Sequence, residues 1–219
     1  FKVNSGEFKL MGLAPYGEPK YADLIKQKLI KIKKDGSFWL DQKYFNYTTG
    51  LTMITKKFEK LFGKKRRSSE KELLEQFHMD IACSIQKVTE EILLLILKDL
   101  KKTYSIENLC LAGGVALNCV ANGKILEENV FKNIWIQPAA GDAGGSLGAA
   151  LAFWFDELKN KREKDNQIDQ MKGSYLGPDY SNENIKEELV KCDAKFEEFD
   201  EEEIINKTAE SLSNGEAIG

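Results

Sequence analysis

Apolar residues recur every three or four positions through the middle of the chain, and this spacing predicts one long amphipathic helix. Ser69 and Glu72 fit an S-x-x-E capping box at its start, and the pattern continues to about Lys102. At about 1.5 Å per residue the helix would be on the order of 48 Å long and would span a domain. Its apolar face comprises Leu74, Phe77, Ile81, Ile85, Val88, Ile92, Leu95 and Ile96.

After this helix the pattern changes to alternating strands and helices. Short apolar runs at 109–112 and 133–137 predict two buried strands, each followed by a helix, over 115–128 and 144–160. Because a strand–helix–strand connection is right-handed, we expect the two strands to be parallel neighbours.

The first sixty residues predict smaller elements. Glycines and prolines divide residues 1–20 into a folded loop with one helical turn near 8–13. A helix over 21–29 is expected next, followed by a β-hairpin turning at Asp35-Gly36 and a helix within 52–62.

Residues 159–171 are almost wholly polar, as in a linker between domains. Beyond them we predict a helix at 182–191, a strand at 195–199, a helix at 201–212 and a further strand starting at 217. The predicted domains are therefore residues 1–172 and residues 173–219, and the second is expected to be incomplete.

Glycine-rich turns follow both predicted strands. Gly113 and Gly114 come after the first strand, and Gly141, Asp142 and Gly144 come after the second. Glycine lets a ligand approach the backbone closely, and the helix that follows directs unpaired N–H groups at an anion. Either turn alone could be a simple tight turn, but two on adjacent parallel strands favour a nucleotide or phosphate site. The Asp142 carboxylate could reach a metal ion or a ribose hydroxyl.

Composition excludes some classes of function. The 219 residues are 42% hydrophobic and 31% charged, with a net charge of −3, which does not favour a nucleic-acid surface. The basic run at 64–67 is interpreted as a solvated loop. No apolar run reaches the roughly 18–20 residues of a membrane span, so no membrane association is expected. The cysteines lie in apolar patterns without a C-x-x-C pair, which predicts reduced, buried thiols and a cytoplasmic protein.

Two further residues, His78 and Glu7, have side chains capable of chemistry. The single histidine, His78, has no other imidazole to share a metal with, so a structural or surface role is predicted. Glu7 has two interpretations, a surface ion pair with Lys9 or a lip over a polar ligand, and the pattern alone favours the ion pair.

Several motifs resemble one family in the same order along the chain. They are MGLAPYG at 11–17, GGVALNCVANG at 113–123, QPAAGDAGG at 137–145 and YLGP at 175–178. These segments look like the NodU/CmcH family of O-carbamoyltransferases. The resemblance implies an α/β fold, in which residues 1–172 are the C-terminal lobe of an actin-like (ribonuclease H-like) ATPase domain. Residues 173–219 would begin a carbamoyl-adenylate-forming domain.

The resemblance also implies the substrates. In the family, one domain makes carbamoyl-adenylate from carbamoyl phosphate and ATP, and the actin-like domain transfers the carbamoyl group to a hydroxyl of a sugar-like or natural-product acceptor. By analogy, Asp142 would bind an iron-type divalent metal that holds the adenylate phosphate. Glu7 and Gly12 would form a lip over the nucleotide, which reverses the preference for a Glu7 ion pair. The other nucleotide-binding residues would be Gly113, Gly114, Asn118, Gly141 and Gly144.

This sequence departs from the family's pattern in two ways. The family's pair of histidine metal ligands has no match here, and its arginine-bearing motif for carbamoyl phosphate would follow Gly219. We therefore expect the chain to be a fragment that neither turns over carbamoyl phosphate nor holds metal tightly. A lobe separated from its partner exposes apolar surface, so self-association is also expected.

Two alternative functions stay open. One is an actin-like nucleotide-binding module without chemistry, and the other is a sugar or acyl kinase of the same superfamily. A kinase would release ADP, whereas carbamoyl-adenylate chemistry releases AMP and pyrophosphate.

Overall fold

A computed structural model describes residues 6–68, 71–162 and 171–218 of the chain. These residues divide into two compact units, one within Phe1–Lys164 and the other within Asp165–Gly219. The elements of each unit are described separately.

The first unit begins with short helices and a hairpin, as predicted. Helix α1 spans Glu7–Leu13, a 3₁₀ turn spans Ala14–Tyr16 and α2 spans Ala22–Lys28. Strands β1 (Ile30–Ile32) and β2 (Phe38–Leu40) form an antiparallel pair. Helix α3 covers Lys56–Phe62, only the second half of the predicted segment, because the Thr55 hydroxyl caps it by accepting a hydrogen bond from the Lys57 N–H.

The long helix, α4, spans Gln76–Tyr104 and has 29 residues. Its predicted capping box was wrong: Ser69 lies outside the described residues, and Glu72 precedes the helix. The Glu72 carboxylate instead accepts a hydrogen bond of 2.9 Å from the Ser68 N–H. Glu75 and His78 form the capping box, since the Glu75 N–H donates to His78 Nδ1 at 3.0 Å.

The predicted strand–helix–strand unit follows α4. Strands β3 (Asn108–Leu111) and β4 (Asn133–Ile136) are parallel neighbours, as expected. Helix α5 (Cys119–Glu127) connects them and starts four residues later than predicted, after a 3₁₀ turn at Gly114–Leu117. Helix α6 (Gly144–Ala152) follows β4 and continues into a π-helical turn at Phe153–Glu157.

Helix α4 lies against two apolar cores and so connects the parts of this unit. In the first core, Val88 and Ile92 of α4 pack with Ile25, Leu29 and other residues around the hairpin. In the second, Leu97 of α4 packs with Leu109 of β3, Ile125 of α5 and Phe131. Burying each such side chain contributes about 1.5–3 kcal/mol to folding.

The second unit contains two described helices, α7 (Asn182–Lys191) and α8 (Glu201–Ser213), both predicted. Ser181 caps α7 and Asp200 caps α8. The predicted strands at 195–199 and from 217 were wrong, because residues 195–199 and 217–218 are irregular and Gly219 lies outside the described residues. A strand requires a partner for its backbone N–H and C=O groups, and the described part of this unit contains no strand.

The predicted burial of the cysteines was wrong. Cys110, Cys119 and Cys192 are exposed, and Cys83 is half-buried, with none in a disulfide. Along β3 the side chains alternate, so Leu109 enters the core while Cys110 points away from it. None of the described helices is long and apolar enough to cross a membrane.

Candidate functional site

The two glycine turns lie side by side because their strands are paired. Leu111 of β3 aligns with Ile136 of β4, and the Gln137 N–H extends the pairing by donating to the Leu111 carbonyl at 3.1 Å. The carboxyl ends of parallel strands meet at one edge of a sheet, which is where ligands bind in α/β proteins. The sequence therefore predicted this proximity correctly.

The first turn requires glycine at its start. Gly113 has φ of 100° and ψ of 161°, a backbone conformation that residues with a Cβ atom rarely adopt. Its N–H donates to the Ala140 carbonyl of the second turn at 2.7 Å. This hydrogen bond holds the two turns together at the strand ends.

The second turn requires glycine for a different reason. A Cβ atom on Gly144 would lie 2.1 Å from the carbonyl oxygen of Ala139, which is less than any van der Waals contact allows. The turn is closed by hydrogen bonds from Gly144 N–H to the Gly141 carbonyl and from Gly145 N–H to the Asp142 carbonyl, both of 3.0 Å. The chain thus bends sharply from β4 into α6.

Open space lies beside other glycines of the two turns. A Cβ atom on Gly114 or Gly145 would meet no atom within 4 Å, and the Asp142 side chain is exposed. Helix α6 has no side-chain cap, since Ala143 occupies its N-cap position. Its first two N–H groups close the turn, so α6 offers an anion its positive dipole end.

Asn118 lies at the other helix start and hydrogen-bonds to two residues of the protein. Its Oδ1 accepts a hydrogen bond of 3.0 Å from the Ala121 N–H and so caps α5. The Gln86 amide donates to this oxygen at 3.2 Å, and Asn118 Nδ2 donates to Gln86 Oε1 at 2.9 Å. The predicted contact between Asn118 and a nucleotide stays a prediction.

The polar network continues along α4 and was missed by the sequence analysis. Gln86 Nε2 donates to Glu90 Oε1 at 2.7 Å, and Glu90 forms an ion pair of 3.4 Å with Lys124 of α5. Both α4 residues are buried, with 6% and 8% of their surface exposed. The sequence carries no local signal for it, because Lys87, Thr89 and Glu91 surround this pair with other polar residues.

A groove of about 390 Å³ runs beside this network. Met11 of α1 and Val120 of α5 are among its lining residues, so Gly12 lies one residue from its wall. Glu7 is the first residue of α1, and its carboxylate accepts a hydrogen bond of 3.1 Å from the Gly6 N–H. That Glu7 and Gly12 form a lip over a nucleotide stays a prediction.

The described residues do not by themselves fit a metal ion. The described part of the chain contains no group of three or more His, Cys, Asp or Glu side chains placed to hold one. Asp142 could supply one carboxylate oxygen, whereas a divalent cation normally takes several protein ligands. No chemical step is therefore derived through a metal.

His78 has a structural role, as predicted. Besides closing the capping box of α4, its ring contacts Phe77 edge-on at 5.5 Å between centroids. Partial burial and the nearby positive charges of Lys64 and Arg67 lower its pKa, and Glu75 opposes them.

Comparison with known proteins completes the description of the site. Residues 1–151 match the family model described as "Carbamoyltransferase N-terminus". The chain is 55% identical to the uncharacterized protein sll1178 of Synechocystis over 221 aligned residues, which cover 100% of the chain and 36% of that protein. It is 34% identical to nodulation protein NolO of Bradyrhizobium diazoefficiens, covering 97% of the chain and 36% of that protein. Nodulation protein NolNO of Sinorhizobium fredii is 31% identical over 97% of the chain and 29% of its own length. The chain thus spans about a third of the length of these relatives.

Proposed function

The chain belongs to the carbamoyltransferase family, and we propose that the protein containing it is an ATP-dependent O-carbamoyltransferase. It would take the carbamoyl group of carbamoyl phosphate, carry it as carbamoyl-adenylate and transfer it to a hydroxyl of a sugar-like or natural-product acceptor. The observation that carries this proposal is the pair of glycine turns joined by the Gly113–Ala140 hydrogen bond at the ends of β3 and β4.

The proposal assigns a role to each part of the chain. Residues 1–172 would be the C-terminal lobe of an actin-like domain, and residues 173–219 would begin the domain that makes carbamoyl-adenylate. The 29-residue α4 and the parallel β3–β4 pair support an α/β lobe of this kind. Apolar side chains on the surface of this lobe, such as Phe153 and Trp154 after α6, support the proposed self-association.

The adenylate phosphate would lie against the two turns. Gly113 and Gly114 would border it on one side, with Gly141 and Gly144 on the other. The uncapped N-terminus of α6 would stabilise the negative charge of the phosphate through its positive dipole end. Since the paired strands hold the turn and the start of α6 in place, the helix dipole needs no rearrangement during the reaction, which is how a site stabilises charge efficiently.

In the transfer step, the acceptor hydroxyl oxygen would form a bond to the carbamoyl carbon. The bond between that carbon and the phosphate oxygen of AMP would break, so AMP leaves with the electron pair and the hydroxyl proton is released to solvent or to a base. The α6 terminus would favour this step because negative charge develops on the departing phosphate. An iron-type divalent metal with Asp142 as one ligand is part of the proposal, with its other ligands outside the described residues.

The experiment uses the full-length protein with carbamoyl phosphate, ATP and a panel of sugar-like alcohols. AMP and pyrophosphate are measured together with the carbamoylated product, for the unchanged protein and for Asp142→Ala and Asp142→Asn. Asp99→Asn, a change of charge on the exposed end of α4, is the matched control.

We expect AMP and product to form only with an acceptor, and transfer to fall at least about a hundredfold in both Asp142 variants, as for the loss of one group that stabilises charge. The Asp99 control should retain full activity. ADP in place of AMP would make the protein a kinase. Nucleotide binding without turnover on any alcohol would make it a binding module.

A further inference from the structure

We propose a second binding site on the first unit, for a small organic anion that has an apolar ring or chain. The site is a cleft of about 560 Å³, a volume typical of small-molecule sites. We call it the basic cleft. It is lined by the loop residues Lys64, Lys65, Arg66, Arg67 and Ser68, and by Leu10, Leu13, Ile54, Phe58, Phe62, Leu74, Phe77, His78, Ile81 and Ala82. It shares no residue with the glycine turns, and the proposal does not rest on the carbamoyltransferase reaction.

The charge of the cleft selects an anion. Four basic side chains line it, and no aspartate or glutamate is among its described lining residues. Lys64 is neutralised by an ion pair with Glu75. Lys65 and Arg66 are exposed, and neither side chain forms an ion pair with a described carboxylate, although the Arg66 N–H donates to the Glu59 carboxylate. Lys65, Arg66 and Arg67 therefore have no ion-pairing carboxylate in the described chain, and the Arg67 guanidinium donates a hydrogen bond to the Glu72 carbonyl.

The walls of the cleft select an apolar group. Phe58 and Phe62 contact each other at 4.7 Å between ring centroids, and Phe77 of α4 also lines the cleft. Leu74 is 39% exposed, so the apolar lining reaches solvent. An apolar ring or chain placed here would leave water, which contributes about 25 cal/mol per Å² buried.

The basic loop is held in place by its backbone. The Arg66 N–H donates to Glu59 Oε1 at 3.0 Å, and the Lys64 N–H donates to the Glu59 carbonyl at 3.1 Å. At its other end, the Ser68 N–H donates to Glu72 Oε2 at 2.9 Å. A loop fixed in this way loses less conformational entropy when a ligand binds. These bonds also distinguish it from the freely solvated loop that the sequence favoured.

A second, more polar cleft of about 520 Å³ meets the basic cleft at the same loop. Lys65, Arg66 and Ile54 line both, and the second cleft adds Lys56 and Glu59 together with the polar side chains of Asn46, Thr52 and Thr55. The Glu59 carboxylate accepts a hydrogen bond from the Arg66 N–H, and the three cations of this cleft outnumber it. The anionic group of the ligand would therefore lie at Lys65 and Arg66, where the two clefts meet. Its apolar part would enter the basic cleft.

The test measures binding of 1-naphthyl phosphate to the full-length protein by calorimetry. Neutral 1-naphthol and inorganic phosphate are measured in parallel, because each carries only half of the proposed ligand chemistry. Lys65→Ala with Arg66→Ala removes the two exposed cations of the loop. Lys28→Ala with Lys34→Ala is the matched control, since it removes the same charge from exposed positions outside the cleft. Leu74→Ser tests the apolar wall at a partly exposed position that should tolerate the change.

We expect saturable binding of naphthyl phosphate with one site in the cleft, and about tenfold weaker binding of naphthol and of phosphate. The Lys65/Arg66 variant and Leu74→Ser should each lose at least about tenfold in affinity, while the Lys28/Lys34 control stays unchanged. An equal loss in both double variants would show a general charge effect and overturn the proposal. Undiminished binding in the Lys65/Arg66 variant, or no saturable binding at all, would overturn it as well.

Discussion

The side-chain amides of Gln86 and Asn118 hydrogen-bond to each other in both directions, at 2.9 and 3.2 Å. Gln86 lies in the middle of α4, and Asn118 caps α5 directly after the first glycine turn. This pair ties the turn that would hold phosphate to the longest helix of the unit. The stability of the turn therefore depends on a residue far from it in sequence.

Asn118→Ala should destabilise the protein by about 1–3 kcal/mol. The change removes the cap of α5, typically worth about 1 kcal/mol, and leaves the buried amide of Gln86 without one partner. The free energy of unfolding from urea titration measures the effect. Gln86→Ala and the double variant complete the cycle, and we expect a coupling of at least about 0.5 kcal/mol between the two sites.

Asn118→Ser provides the matched control. Serine can cap α5 but cannot reach Gln86 in the same way, so it should recover part of the stability that alanine loses. Additive effects of the Gln86 and Asn118 substitutions would contradict the paired arrangement of the two amides.

Gly144→Ala and Gly148→Ala should have opposite effects although both lie in α6. A Cβ atom on Gly144 would meet the Ala139 carbonyl at 2.1 Å, whereas one on Gly148 would meet nothing within 4 Å. We expect Gly144→Ala to lower the free energy of unfolding by about 1–3 kcal/mol through strain. Gly148→Ala should raise the free energy of unfolding by up to about 1 kcal/mol because alanine favours a helix. Thermal unfolding of the two variants compares them directly, and equal melting temperatures would contradict the geometry of the second turn.

Gly12 and Gly17 differ in the same way near the start of the chain. A Cβ atom on Gly17 would lie 2.0 Å from the Met79 carbonyl oxygen of α4, while the space beside Gly12 is open. Gly17→Ala should therefore lower the free energy of unfolding by about 1–3 kcal/mol, and Gly12→Ala should leave it unchanged or raise it. If Gly12 borders the nucleotide, Gly12→Ala should instead weaken ATP binding. A stable Gly12 variant with unchanged ATP affinity would remove this residue from the proposed site.

Asp80 makes stability depend on pH in the acid range. Hydrogen bonds from the Glu18 N–H, from Gln76 and from Lys20 lower the pKa of this carboxyl from 3.8 to about 2. Since the folded state favours the charged form, the stabilisation is fully present above the ordinary pKa and is lost as pH falls through the folded value. We expect stability to decline between about pH 4 and pH 2 partly through this group.

The comparison is Asp80→Asn against Asp99→Asn, an exposed residue of the same helix. Asp80→Asn should be less stable at neutral pH and should lose less stability on acidification, because the titrating group is gone. Unfolding measured by circular dichroism at several pH values gives both quantities. Identical acid profiles for the unchanged protein and Asp80→Asn would contradict the assignment.

Much of the secondary structure was predictable from sequence because it is encoded locally. The apolar periodicity of α4, the Asp35-Gly36 turn of the hairpin and the apolar runs of β3 and β4 each depend on residues a few positions apart. Helix boundaries were less accurate, since Asn118 and Thr55 set them through single side-chain caps. The strand predicted at 195–199 was wrong because strand formation needs a partner that local sequence does not reveal.

The glycine turns were the part of the candidate site that the sequence alone determined, because glycine, a following helix and the right-handed connection leave little freedom in how two such turns can be placed. Only the tertiary structure decided which polar residues support them. Gln86 of α4 binds Asn118 after the first turn, and Glu90 and Lys124 extend this network between α4 and α5, although no local pattern records these contacts. The same holds for the basic cleft. From sequence alone, the four adjacent cations at 64–67 are interpreted as a solvated loop. The packing of α3 and α4 places aromatic side chains beside them, and these long-range contacts combine positive charge with an apolar wall in one cleft.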